Sequence, residues 1–409
     1  MKKIIAILVC VVLCVGVFAS CAAPAAPAAT EAPAATEAPA ATEAPAADAA
    51  TEAPATKGEP KKIGFYADGA DSYYATVAES LTALSAADPE LDWTVDYKTG
   101  NNTAQEQLQA VEDFITAGYD AICVIQNNTQ TTGECIAKCV EAGVPYFGAG
   151  HNFVDAPNAG DAAGSEGYDF FDVGYQSGLD MVKRGIKKIV NIQGVLGQGT
   201  AQAQSYGMLK AYEDQGVSLG GVTAEELMDQ QSNAKLDGTQ GVEVVLWTSG
   251  GWNADPAKKA MTDAITSLGA DGFDAVYAQN NPMAEGVFAA FEEAGLNPKD
   301  YYIFSSNGRE ISWQWAKDGI IKLDINHSAA LEGDFLYQQI KAYFAGEPYR
   351  KFVHTNFNLY TDLNIKDVEK SLVPFTDVAK YIEKRTAGDF MYDINDPAFK
   401  DIKGYENAQ

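Results

Sequence analysis

From Lys61 onward, short apolar runs alternate with longer stretches whose apolar residues recur every three or four positions. The first spacing suits strands buried on both faces; the second suits helices with one apolar side. The pattern predicts strands over 62–67, 93–97, 119–125 and 144–149, with helices over 74–84, 103–117 and 131–142 between them. Gly or Pro punctuates the helix ends, as at Ala117-Gly118 and Ala142-Gly143-Val144-Pro145. The same alternation then restarts. Helices are predicted over 171–184, 201–214, 256–268 and 282–294, and strands over 188–193, 242–247, 273–278, 302–306 and 320–325. A later strand is expected over 352–360 and a helix over 376–384, while 218–240 reads as a polar surface excursion. Strands alternating with helices imply right-handed crossovers on parallel sheets. The fold class is therefore α/β, with two Rossmann-like lobes joined by hinge strands. Ligands of such sheets sit at the carboxyl ends of the strands, which places a site in the cleft between the lobes.

The first 60 residues follow neither pattern. Lys2 and Lys3 precede an apolar run from Ile4 to Phe18, which ends in Phe18-Ala19-Ser20-Cys21. A basic start, an apolar middle and small residues at the cut describe a secretory signal. The cysteine after it resembles the bacterial lipoprotein signal, in which that thiol carries the lipid. Residues 1–20 are thus expected to be a signal peptide, with Cys21 the lipidation site and the lipid the only membrane attachment. Residues 21–60 are Ala, Pro, Thr and Glu almost throughout, with a TEAPAA hexad starting at Thr30, Thr36 and Thr42. A segment with no aromatic or branched aliphatic residue cannot offset its ordering entropy by burial. Its prolines favour an extended spacer that could reach on the order of 100 Å at about 3 Å per residue.

Composition narrows the classes. The chain carries 29 basic and 56 acidic residues, a net charge of −27. Without Lys2 and Lys3 it has 27 basic against 56 acidic residues and stands at −29. Nucleic acid and anionic lipid surfaces both call for basic patches, so neither is an expected partner. Beyond the anchor and the signal, Cys123, Cys135 and Cys139 remain, an odd number with no histidine at a metal-ligand spacing; they read as buried thiols. No metal or cofactor is expected. No HExxH, GxSxG or phosphate-binding GKS/GKT motif occurs, and Gly194-x-x-Gly197-x-Gly199 lacks the dinucleotide spacing. An enzyme is not expected.

Several stretches carry a resemblance in order along the chain. Val276-Tyr277-Ala278-Gln279-Asn280-Asn281-Pro282-Met283-Ala284-Glu285-Gly286 is similar to the VFAQNDxMAxG signature of the ribose/galactose-type, sugar-binding periplasmic binding proteins. Asp71-Ser72-Tyr73-Tyr74 after the first strand resembles the family's NPFF element, and Gly194 to Ala201 its GxxGTSAA turn. Ala117 to Asn128 resembles its third strand. The resemblance runs from about Lys61 to Tyr360 and implies the type I periplasmic binding protein fold. It also implies a pocket. Tyr73 and Tyr74 would stack on a sugar's C–H faces from one lobe and Trp252 from the other. Asp71, Gln126, Asn127, His151, Gln202 (or Gln204), Asn280, Asn307 and His327 would meet its hydroxyls, since amides and imidazoles match groups that both donate and accept. Gly150-His151, Gln202 and Asn307 stand where the family often has Asp-Arg, Arg and Asp. Neutral groups replace the charged clamps, and the identity of the sugar stays open.

The expected organisation is lobe 1 over 61–165, completed by about 328–360, lobe 2 over 166–327, and an extension over 361–409 packed on the outside. Hinges are expected near Gly160–Gly164, His327 and Tyr360. The expected function is that of a monomeric, lipid-anchored solute-binding protein on a Gram-positive surface. It would capture a monosaccharide or polyol and deliver it to the permease of an ABC importer. The alternative is a sensor presenting the ligand to a receptor kinase.

Overall fold

The computed structural model describes residues 57–67, 72–101, 103–126, 129–150, 153, 156–230 and 241–403. The signal, Cys21 and most of the linker lie outside them, as do Asp71, Asn127 and His151. Among the described residues no helix is long and apolar enough to cross a membrane.

The first half builds β1 (Lys61–Ala67), α1 (Ser72–Ala87), β2 (Trp93–Thr99), α2 (Ala104–Thr116), β3 (Ala121–Ile125), α3 (Thr129–Ala142) and β4 (Tyr146–Ala149). β3 and β4 are buried along their whole length, which is why they read as continuous apolar runs. Then comes β5 (Gly164–Tyr168), also fully buried. Its sequence GSEGY has too few apolar residues to announce a strand, so lobe 1 continues past the expected boundary at 165. The second half builds α4 (Phe170–Lys183), β6 (Lys188–Gln193), α5 (Gly199–Asp214), α6 (Ala224–Gln230), β7 (Glu243–Ser249), α7 (Ala254–Leu268), β8 (Ala275–Ala278), α8 (Asn281–Ala294), β9 (Tyr302–Asn307), α9 (Glu310–Lys317) and β10 (Leu323–Asn326). α6 falls within the stretch expected to be an irregular excursion.

The chain then returns through α10 (Ala329–Ala345), β11 (Phe352–Thr355), β12 (Asn358–Thr361), α11 (Ile365–Val368), α12 (Val378–Ala387) and β13 (Lys400–Asp401). α10 was invisible to periodicity because 11 of its 17 residues are buried, which leaves little polar face to set the rhythm. The single strand expected over 352–360 is two strands in two sheets. β11 runs parallel to β5, whereas β12 lies antiparallel against β10.

Lobe 1 is a seven-stranded sheet in the order β13-β11-β5-β4-β3-β1-β2, and lobe 2 a six-stranded sheet in the order β12-β10-β9-β8-β6-β7. All pairings are parallel except those of the edge strands β13 and β12. The chain passes between the sheets after β5, after β10 and between β11 and β12. It passes a fourth time near Val373. Ile365 and Leu372 belong to the core of lobe 2, and Phe375 to that of lobe 1. The extension therefore does not simply coat the outside: α12 packs on α1 and α10, and β13 extends the lobe 1 sheet. Cys123, Cys135 and Cys139 are free and buried in lobe 1. Burial pushes the Cys135 thiol up to about 11 and that of Cys139 up to about 12, so both stay protonated.

Candidate functional site

A cavity of about 180 Å³ opens between the lobes, at the carboxyl ends of both sheets. Strand order reverses beside β1 in lobe 1 and beside β6 in lobe 2, and ligands of open α/β sheets sit at such reversals. The volume falls below the ~300–1,000 Å³ of drug-sized sites and suits a single-ring solute.

Lobe 2 supplies most of the polar lining. Gln198 and Thr200 open α5, Gln204 lies a turn further on, Asn253 precedes α7, and Gln279 and Asn280 follow β8. Many of these groups are fixed by their own hydrogen bonds. Gln279 Nε2 donates to Ala201 O (2.9 Å) and Ser205 Oγ (2.8 Å), and its Oε1 accepts from Gly194 N at 2.8 Å. Asn280 caps α8 by accepting from Met283 N at 2.8 Å and donates to Trp252 O at 3.0 Å, which leaves one amide N–H uncommitted. Trp252 Nε1 donates to Gln198 Oε1 at 2.6 Å.

Two lining residues hold left-handed backbone that is unfavourable for a side chain: Trp252 at φ 60° and Asn307 at φ 97°. Such conformations cost roughly 1–3 kcal/mol each and cluster at ligand sites. The indole of Trp252 lies over Gly194, where a Cβ would come within 2.2 Å of the ring. Glycine there is a requirement of the site.

His327 follows β10 and is buried at the junction of the lobes. Three aromatic rings surround it: Tyr168 at 5.0 Å, Phe170 at 5.6 Å and Tyr73 at 5.9 Å between centroids. Burial pulls its pKa down to about 3, so the ring is neutral. His327 Nε2 lies 3.3 Å from Ser306 Oγ, which gives its own proton to Gln279 O (2.8 Å), and 3.5 Å from Asn307 Nδ2. His327 Nδ1 is buried with no hydrogen-bond partner among the described residues.

Lobe 1 and the crossings contribute rings. Tyr73 and Tyr74 start α1 and meet edge to face at 6.1 Å, Phe170 starts α4, and Phe375 comes from the fourth crossing. Beneath them Glu166 on β5 and Glu332 on α10 are both fully buried. Glu166 accepts from Gly150 N and Thr355 Oγ1, each at 3.2 Å. Among the described residues neither carboxyl has a cationic partner; burial pushes both well above the ordinary carboxylate range, and repulsion by Glu332 adds to the rise of Glu166.

Of the residues singled out from sequence, Tyr73, Tyr74, Trp252, Asn280, Asn307 and His327 line this cavity. Gln202 does not. Two positions apart on a helix is about 200°, so Gln202 turns to a separate surface groove beside Tyr206 and Glu225 while Gln204 turns inward. Gln126 is also outside the lining; its Oε1 accepts from Thr132 Oγ1 at 2.6 Å. Sequence reasoning missed Gln198, Thr200, Asn253, Gln279, Phe170, Arg309 and Phe375. The first two lie within the Gly194–Ala201 turn and could have been read there. Phe170 follows an unannounced strand, and Phe375 lies past the end of the resemblance near Tyr360. Arg309 is the one charged side chain among the described lining residues, and its Nη1 donates to Glu285 Oε1 at 3.3 Å.

Comparisons with known proteins agree with this geometry. The chain is 24% identical over 320 residues to the fructose import binding protein FruE of Bifidobacterium longum, covering 75% of this chain and 86% of that one. It is 27% identical over 244 residues to a xylitol-binding protein of Mycolicibacterium smegmatis, covering 59% and 60%. A crystal structure of a galactofuranose binding protein superposes with a TM-score of 0.63 at 19% identity, over 81% of this chain and all of the other. These relatives are binding proteins, not enzymes, and so is this chain. The model of the periplasmic binding protein domain matches residues 63–348, more than half the sequence, and the chain belongs to that family.

Proposed function

We propose that this protein is an extracytoplasmic, lipid-anchored solute-binding protein that captures a monosaccharide or related polyol between its lobes and delivers it to an ABC importer. One observation carries the ligand class: amides, hydroxyls and a neutral imidazole face rings across a small cavity with a single charged side chain among its described lining residues. Hydroxyl-rich solutes need dense neutral donors and acceptors, together with apolar faces for their C–H groups. The names of the two relatives, one importing fructose and one binding xylitol, support the same class. The lipobox at Cys21 and the Ala/Pro/Thr/Glu segment after it support anchoring. Capture follows from two lobes closing about their crossings, which presents a permease with a surface that the open form lacks.

The test is a thermal-shift screen over fructose, xylitol, pentoses, hexoses and inositols. A ligand at 100 times its Kd stabilises by about 2.7 kcal/mol, a shift of several degrees for a protein of this size. No shift with any of them would remove the sugar reading. Metabolic labelling with a fatty acid, lost in Cys21→Ala, tests the anchor. Copurification with a permease rather than a receptor kinase separates import from sensing.

A further inference from the structure

We infer that Phe375 is a specificity-determining wall of the ligand site, supplied by a carboxy-terminal segment beyond the residues matched by the family model. The inference rests on the sugar reading above and narrows it. The family match ends at residue 348, yet Phe375 lines the cavity and packs its ring 5.5 Å from that of Tyr73. It is only 2% exposed.

The ring is held from lobe 2. Glu310 Oε1 at the start of α9 accepts from Phe375 N at 3.0 Å, and its Oε2 accepts from Thr376 Oγ1 at 3.1 Å. Asn326 at the end of β10 grips Val373 both ways, accepting from its N at 2.8 Å and donating to its O at 2.9 Å. Ser328 Oγ donates to Pro374 O at 2.6 Å. The backbone from Val373 to Thr376 is thus fastened to lobe 2 and to the β10–α10 crossing, while the Phe375 ring sits in the core of lobe 1. That arrangement fixes the wall where the lobes meet.

Phe375, Tyr73 and Phe170 line the same cavity as His327, and the Tyr73 hydroxyl interacts with Glu332. A hydroxyl or hydroxymethyl group placed against the Phe375 ring loses water and finds no acceptor from it. That side of the cavity therefore takes the C–H face of a ligand and disfavours analogues with an added polar group there.

The experiment measures affinities by calorimetry for sugar and polyol pairs that differ by one hydroxyl or hydroxymethyl group: arabinose and galactose, fucose and galactose, ribose and deoxyribose, xylitol and sorbitol. In the wild type at least one pair should be separated about tenfold or more, the scale of one group in an apolar pocket. Phe375→Ala should shrink that ratio to within about threefold, and Phe375→Leu should keep most of it. Glu310→Ala, which keeps the ring but releases its backbone, should relax the ratio in the same direction and covers the case in which Phe375→Ala fails to fold. Ratios unchanged within twofold in Phe375→Ala, or in both Phe375→Leu and Glu310→Ala if it does not fold, overturn the inference. A loss that is equal for both members of every pair also overturns it, since that is a structural effect. A parallel panel of amino acids and nucleosides separates the two readings. A wild type that ignores sugars but binds one of these overturns the sugar reading, and the variants are then scored on that ligand and its one-group analogues. A wild type that binds nothing in either panel overturns both.

Discussion

The two sides of the cleft are built on opposite principles. Among the described residues, lobe 2 presents amides and hydroxyls locked by their own hydrogen bonds, with two residues held in unfavourable backbone. Lobe 1 presents rings above a pair of buried acids. The buried carboxylates make the contrast sharpest. Asp324 of lobe 2 accepts from Ile325 N (2.7 Å), Asn281 Nδ2 (2.8 Å) and Tyr360 OH (2.9 Å). Glu166 of lobe 1 accepts from two donors, Gly150 N and Thr355 Oγ1, and lies close enough to Glu332 for the two acids to repel. Burial raises these carboxyls, but the donors around Asp324 hold it to about 6, whereas Glu332 rises to about 8 and keeps its proton at neutral pH. Lobe 2 is thus pre-organised to read hydroxyls, and lobe 1 to cover what has been read.

The largest expected effect is on the lobe 2 side. Trp252→Ala removes a ring held by Gln198 and seated over Gly194, and should weaken sugar binding about 100-fold or more, the size of an interface hot spot. Tyr74→Ala, on the covering side, should cost about tenfold. Calorimetry on both decides the matter. A Tyr74→Ala loss larger than that of Trp252→Ala reverses the assignment of reading and covering sides.

The same isosteric change should have opposite consequences in the two lobes. Asp324→Asn turns an amide N–H toward groups that are already donors and should destabilise the protein by about 1–3 kcal/mol. Glu332→Gln removes one of two repelling acids and gives Glu166 a donor. A carboxyl raised from 4.5 toward about 8 holds its proton in the folded state after the unfolded chain has lost it. Its stability is fully present below about 4.5 and is lost as pH rises toward 8. Ligand-free wild type should therefore melt lower at pH 8 than at pH 5, and Glu332→Gln should flatten that slope and melt above wild type at pH 8. Tyr73, Tyr168 and Cys123 face this pair as neutral groups and do not alter the sign. A melting curve with the same pH slope in wild type and variant would mean that the two acids are not the source of it.

The alternation of runs made both sheets legible, because buried parallel strands leave uninterrupted apolar stretches and their helices a clear stripe. Legibility failed where burial was complete or polar. β5 carries Ser165 and Glu166 at its centre, α10 is buried nearly all round, and 352–360 changes sheets at Asn356-Phe357 with no Gly or Pro to mark it. The site was readable wherever a strand end met a family element, as at Tyr73, Trp252 and Asn280. Phe375 had no such signal, since its place depends on contacts with residues about 50 to 300 positions away: Asn326, Glu310 and Tyr73.

The smallest expected effect tests register within one helix. Gln204 and Gln202 are equally amide-bearing and two residues apart on α5, but one lines the cavity and the other a separate groove. The Oε1 of Gln204 is buried without a partner among the described residues, so a ligand hydroxyl that donates to it would add a hydrogen bond worth about 1 kcal/mol. Gln204→Ala should weaken binding roughly fivefold on that basis, and Gln202→Ala should leave it within twofold. Equal effects would mean that α5 sits in a different rotation when the lobes close on a ligand, and the polar side of the cleft would then have to be redrawn around Gln202.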